Sequence, residues 1–298
     1  MTFQDFDCLI IIVGDDMEIL LMAAVLPVLA LAYYIYKKDV NKEPHDVLRK
    51  LFIFGLLSAA PILIVEIFLD NFFPTENINS FLLTFINVFI SVALVEEGFK
   101  WIVTKKFGYD NKEFDEIYDI IVYAVFASLG FACIENVLYV FQNGLGNAIT
   151  RALTSIPGHT CFGVMMGYFF AKSKVAHLNG NASLSKRNMF LSILMPTILH
   201  TLYDAIIMYA VSVESGLFVI LFFVFDIAMV ILCFNIVKKT STVQQNLTKE
   251  IQSGAIVSTP TGQISYQQPS TQSFNFCPIC GRNVKGYNFC PSCGFKTH

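Results

Sequence analysis

The strongest constraint on this chain is a succession of apolar runs about twenty residues long, the length that crosses a hydrocarbon core of roughly 30 Å at about 1.5 Å of helix rise per residue. Seven such runs lie between polar breaks, at about 17–36, 51–69, 81–103, 117–142, 149–171, 189–211 and 216–237. Inside lipid each backbone N–H and C=O must be satisfied within its own segment, so these runs read as helices. The expected fold is an all-α polytopic membrane protein of about seven transmembrane helices. Charged residues make up only 14% of the chain, against roughly 25% in soluble domains, which excludes an ordinary soluble enzyme.

The breaks between runs alternate in charge. Lys+Arg number 5 in 37–50, 3 in 104–116 and 4 in 172–188, but 0 in 1–36, 70–80 and 212–215, and 1 in 143–151. By the positive-inside rule this alternation predicts an N-terminus outside and a C-terminus in the cytoplasm. The first run has no basic stretch before it and no small-residue cleavage site, so it reads as a retained helix. The net charge of −3 gives no reason to expect a nucleic-acid partner.

After Lys239 the composition turns to Ser, Thr, Gln and Gly, which predicts a membrane domain over 1–239, a flexible linker over 240–273 and a small module over 274–298. The module carries Cys277-Pro-Ile-Cys280-Gly and Cys290-Pro-Ser-Cys293-Gly. Each Cys-x-x-Cys brings two thiolates within reach of one ion, and the following Gly permits the tight turn around it. Four soft ligands make a closed tetrahedral site, so Cys277, Cys280, Cys290 and Cys293 are expected to hold a structural zinc in a cytoplasmic zinc ribbon. Two disulfide or redox pairs are the competing reading, disfavoured in a reducing compartment. The ribbon's expected role is to dock another protein or to regulate.

Ionised groups in the membrane cost about 2.5–3.5 kcal/mol each on insertion scales and mark function by default. Here they concentrate in four consecutive spans: Glu96, Glu97 and Lys100, then Glu135 with Asn136, then His159, then His200 and Asp204. Glu66 and Asp226 stand apart as lone polar groups. Glu96 and Lys100 lie one helical turn apart and are expected to pair, leaving Glu97 as the freer carboxylate. His200 and Asp204 share the same spacing, suited to two ligands of one metal or to a carboxylate orienting an imidazole. His159 follows Ser155-Ile-Pro-Gly158, which should loosen the helix there. Gly130, Ala132, Gly158, Gly163 and Gly167 should let helices approach closely. Such groups could also serve as helix glue in a non-enzymatic assembly subunit, or carry ions in a coupled transporter, although paired interrupted spans are not visible.

Glu96-Glu97-Gly-Phe-Lys100, Phe131-Ala-Cys-Ile-Glu135 and His200-Thr-Leu-Tyr-Asp204, with His159 between the last two, resemble the PrsW family of intramembrane proteases over residues 20–237. The resemblance implies kinship with CAAX-processing and bacteriocin-immunity membrane proteases, location in a bacterial-type plasma membrane, and cleavage of membrane-anchored anti-sigma factors. Carried over by position, Glu96 and Glu97 would be the catalytic pair, and Glu135, His159, His200 and Asp204 would complete the site. Hydrolysis needs a base for water and donors at the oxyanion. Glu97 could be that base, with Glu96 held by Lys100. The two histidines could donate to the oxyanion or, with Glu135 or Asp204, hold a catalytic zinc.

Overall fold

The computed structural model describes residues 15–75, 78–111, 113–114, 116–252, 257–258, 264–265, 277, 284–285 and 289–290. Its helices are α1 (Asp15–Lys38), α2 (His45–Leu57), α3 (Ala59–Asp70), α4 (Phe81–Val88), α5 (Leu94–Thr104), α6 (Asp119–Leu153), α7 (Ser155–Leu178), α8 (Ala182–Ser212) and α9 (Gly216–Gln252). Six segments are long and apolar enough to cross a membrane: Met17–Lys38, His45–Asp70, Phe81–Tyr109, Asp119–Leu178, Ala182–Ser212 and Gly216–Asn246. The fourth, 60 residues long, is two helices folded back on each other. Gly163 of α7 lies against Val125 of α6, and Gly167 against Ile121, so the pair is antiparallel. The chain is thus an all-helical polytopic membrane protein. Leu217, Ile220, Phe223 and Ile227 of α9 are exposed, the apolar surface that lipid would cover.

α6 and α7 are the centre of the bundle, with α1, α2 and α8 packed around them. Four glycines set how closely. A Cβ on Gly55 would stand 2.1 Å from the Ala127 carbonyl oxygen, and one on Gly130 would stand 2.1 Å from that of Phe52, so α2 and α6 meet backbone to backbone. Gly163 and Gly167 do the same for α6 and α7, at 2.8 and 2.5 Å from α-carbons. Gly158 does not: its nearest neighbour is the Tyr203 ring at 3.5 Å, an ordinary contact.

Two local expectations are corrected, and one is refined. Residues 143–148, read as a break between spans, hold a turn at Gly144, whose φ of 76° separates two helical stretches. The stretch beyond it folds back, packing Ala148 with Val140 beside α1. Pro157 and Gly158 do not loosen α7. The helix starts at Ser155, so Pro157 falls in the first turn, where its missing N–H has no helical partner to lose. Finally, residues 240–252, assigned to the linker, continue α9 to Gln252, with Ser241 donating to the Lys38 carbonyl at 2.5 Å. Cys280 and Cys293 lie outside the described residues, and with them the four-cysteine centre. Of that module, Phe289 exchanges hydrogen bonds through its backbone with the Asn179 side chain at the α7–α8 turn, the amide donating at 2.7 Å.

Candidate active site

The third span is not uniform. Phe89–Ala93 forms a π-helical turn between α4 and α5, a distortion frequent at functional sites. It ends one residue before α5, whose first turn carries Glu96 and Glu97. Trp101 donates to the Ser192 hydroxyl at 2.8 Å, fixing α5 against α8. Ser128 of α6 donates to the His159 carbonyl at 2.7 Å and sets the depth of α7.

These contacts bring Glu96, Glu97, Lys100, Glu135, His159, His200 and Asp204 into one connected cluster. Lys100 is its hub. Its Nζ donates to Glu96 Oε2 at 2.8 Å, to Glu97 Oε1 at 2.8 Å and to His159 Nδ1 at 3.2 Å, so all three ammonium donors are used. It also lies 4.2 Å over the Phe131 ring, which gives the first residue of the Phe-x-x-x-Glu motif a physical role. The expectation that Lys100 pairs with Glu96 alone is corrected. Spacings of three and four share one helix face, and the long lysine stem reaches both carboxylates.

The tautomer of His159 follows from its neighbours. Lysine only donates, so Nδ1 accepts and the proton sits on Nε2, which donates to Glu135 Oε2 at 2.8 Å. His200 Nδ1 lies 3.1 Å from Glu97 Oε1, and Nε2 lies 3.1 Å from Asp204 Oδ2. Phe162 stacks on the His200 ring at 4.6 Å and fixes its plane. Glu97 therefore has one oxygen held by Lys100 and His200. Its other oxygen, Oε2, is buried and has no hydrogen-bond partner among the described residues.

Two residues were not anticipated. Arg151, counted in the sequence as a single loop charge, pairs its Nη2 with Glu135 Oε2 as an ion pair and donates a hydrogen bond from Nε to Asn136 Oδ1, both at 2.8 Å. The turn at Gly144 makes this possible. Because α7 then begins beside Glu135, the fold-back also explains how His159 and Glu135 meet. Glu66, treated as a lone group, lies within electrostatic range of Glu96 and Glu135, with Oε1 buried and unpartnered among the described residues. Asp226 of α9 stays apart, buried with Oδ1 unpartnered among the described residues.

Among the described residues of the membrane domain's interior, Glu96, Glu97 and His159 each offer one ligand atom within 4.8 Å of one another. Of the other residues expected as ligands alongside His159, Glu135 contacts His159, His200 contacts Glu97, and Asp204 contacts His200. Two carboxylates and an imidazole are a donor set suited to zinc and similar ions, and the unpartnered Glu97 Oε2 adds an available oxygen. These residues fit a divalent metal ion, which would replace Lys100 as the counter-charge of the same atoms.

A family model described as PrsW family intramembrane metalloprotease matches residues 43–232. The chain is 40% identical over 188 residues to the protein named protease PrsW of Oceanobacillus iheyensis, an alignment covering 63% of this chain and 82% of that one. It is 41% identical over 188 residues to its namesake in Geobacillus kaustophilus, covering 62% and 78%. With that of Bacillus subtilis it shares 34% over 190 residues, covering 63% and 82%. No solved structure matches the chain significantly. The matched region contains every residue of the cluster and none of the four C-terminal cysteines, and the chain belongs to the PrsW family of intramembrane metalloproteases.

Proposed function

We propose that the chain hydrolyses a peptide bond of a membrane-anchored protein, an anti-sigma factor being the substrate class the family resemblance favours, with Glu97 as the base that activates water. The observation that carries this reading is the asymmetry of Glu97. Oε1 is fixed by Lys100 and His200, while buried Oε2 is unpartnered and free to accept a proton. Asp204 orients His200, which holds Glu97. On rearrangement, donors at a developing oxyanion would come from the Lys100 ammonium or the Arg151 guanidinium. Held by Glu96, Glu97 and His159, a divalent metal ion would supply Lewis-acid polarisation and a more acidic water.

The charge alternation supports an outward N-terminus and a cytoplasmic C-terminus. In that orientation the cysteine module sits in the cytoplasm, where Cys277, Cys280, Cys290 and Cys293 would bind a structural zinc and the folded ribbon would dock a partner protein.

The test compares new protein N-termini, by quantitative proteomics, in membranes from cells making the wild-type chain or Glu97→Gln at equal abundance. Fragments unique to wild type are expected and would name the substrate. Identical profiles across growth and stress conditions would contradict the reading.

A further inference from the structure

α1 and α2 follow one another in the chain, yet each packs along α6 and not along the other. Between them runs a groove of about 570 Å3. Leu29, Ala32 and Tyr33 form its α1 wall, Leu48, Phe52 and Ile53 its α2 wall, and Phe126 of α6 its floor. Leu29, Tyr33 and Ile53 are 48%, 62% and 44% exposed, so the groove opens sideways, toward the lipid. These apolar walls gain dispersion contacts only from an apolar chain laid against them.

One end of the groove is polar. The rings of Tyr36 and His45 face each other there, with centroids 5.7 Å apart, and Arg49 lies one turn further along α2. The charges of this turn are sorted by burial. Asp39 and Glu43 are buried, whereas Lys37, Lys42, Arg49 and Lys50 are exposed with one exposed acid, Asp46, among them. Arg49 donates to Asp46 at 2.8 Å, but the two side chains are 71% and 76% exposed, and such a pair is weak in water. The planar guanidinium has further N–H groups in the fork geometry that suits a phosphate.

We propose that this groove binds an anionic phospholipid, with one acyl chain between α1 and α2 on Phe126 and the phosphate against Arg49 and His45. The size of the groove favours an acyl chain over the helix of a substrate. From Leu29 to Tyr36 it follows α1 for about 10 Å, and a helix about 10 Å across would displace roughly 800 Å3 over that length. In the orientation proposed above, the polar end lies at the cytoplasmic leaflet, whose anionic lipids are attracted by exposed Lys and Arg. The bound chain would join two helices that otherwise meet through α6. The site is separate from the catalytic cluster and does not rest on the reaction proposed for it.

The experiment is native mass spectrometry of the full-length protein released from nanodiscs of equal parts phosphatidylglycerol and phosphatidylcholine. One retained phosphatidylglycerol per chain is expected, in preference to phosphatidylcholine. Arg49→Gln should lower that preference by about fivefold. Ile53→Trp, which fills the groove from an exposed position, should abolish retention of either lipid. Lys186→Gln, which removes an exposed cation of α8, should change nothing. If Ile53→Trp fails to fold, Leu29→Trp carries the same reading, and wild type alone should show a higher thermal midpoint with phosphatidylglycerol than with phosphatidylcholine. No retained lipid, equal retention of the two lipids, retention indifferent to Arg49→Gln and Ile53→Trp, or a polypeptide displaced by Ile53→Trp in place of a lipid would overturn the proposal.

Discussion

The guanidinium of Arg151 closes on the carboxylate of Glu135 at 2.8 Å, across the turn that Gly144 makes in α6. The two side chains are 12% and 21% exposed, so the pair is largely shielded from water. Removing one partner leaves the other charge uncompensated. Arg151→Ala should therefore destabilise the protein by about 3 kcal/mol in chemical unfolding from mixed micelles. Arg151→Lys keeps the charge but loses the Nε bond to Asn136, and should cost about 1 kcal/mol. Equal stability of both variants and wild type would mean the fold-back does not hold Glu135.

Gly130 and Gly98 lie in helices of the same bundle but differ in surroundings. A Cβ at Gly130 would collide with the Phe52 carbonyl, whereas at Gly98 nothing lies within 4 Å. Gly130→Ala should part α2 from α6 and lower stability by more than about 2 kcal/mol. Gly98→Ala should be neutral or gain up to about 1 kcal/mol from helix propensity. Detergent-extracted yield and thermal midpoint of the two variants distinguish them.

Asp204 acts through His200, whose Nε2 it holds at 3.1 Å. Asp204→Ala frees the ring to rotate and should lower kcat by about 10- to 100-fold with little change in KM. A rise in KM at unchanged kcat would place Asp204 in substrate binding.

The cysteine module lies outside the family match. Cys277→Ser should lower the zinc content by one ion per chain, read by mass-spectrometric metal analysis, and leave cleavage within about threefold, because a closed site has no position for substrate. Loss of cleavage together with that zinc would make the module part of the catalytic machinery.

Much of the site was legible because helices convert spacing into neighbourhood. Glu96 and Lys100 share a face by spacing alone, as do His200 and Asp204, and each pair is found in contact. The bridging by Lys100 was missed because sequence spacing does not say which of two reachable carboxylates a long side chain takes. Arg151 and Glu135 meet through the positive φ of Gly144, and the break expected at 143–148 does not say in which direction the chain turns there. The groove between α1 and α2 is floored by α6, which α2 meets by close approach at Gly55 and Gly130. Gly130 was recognised as a close-packing residue and Gly55 was not.

Cleavage of a reconstituted substrate by the purified chain and by Glu97→Gln tests the assignment of Glu97 Oε2 as the base most directly. The substrate is the membrane protein identified from wild-type-specific N-termini. The account predicts that Glu97→Gln loses about 10²- to 10⁴-fold in rate, the contribution of a general base, with an unchanged thermal midpoint. A variant as well folded as wild type that cleaves within about tenfold of its rate would contradict it.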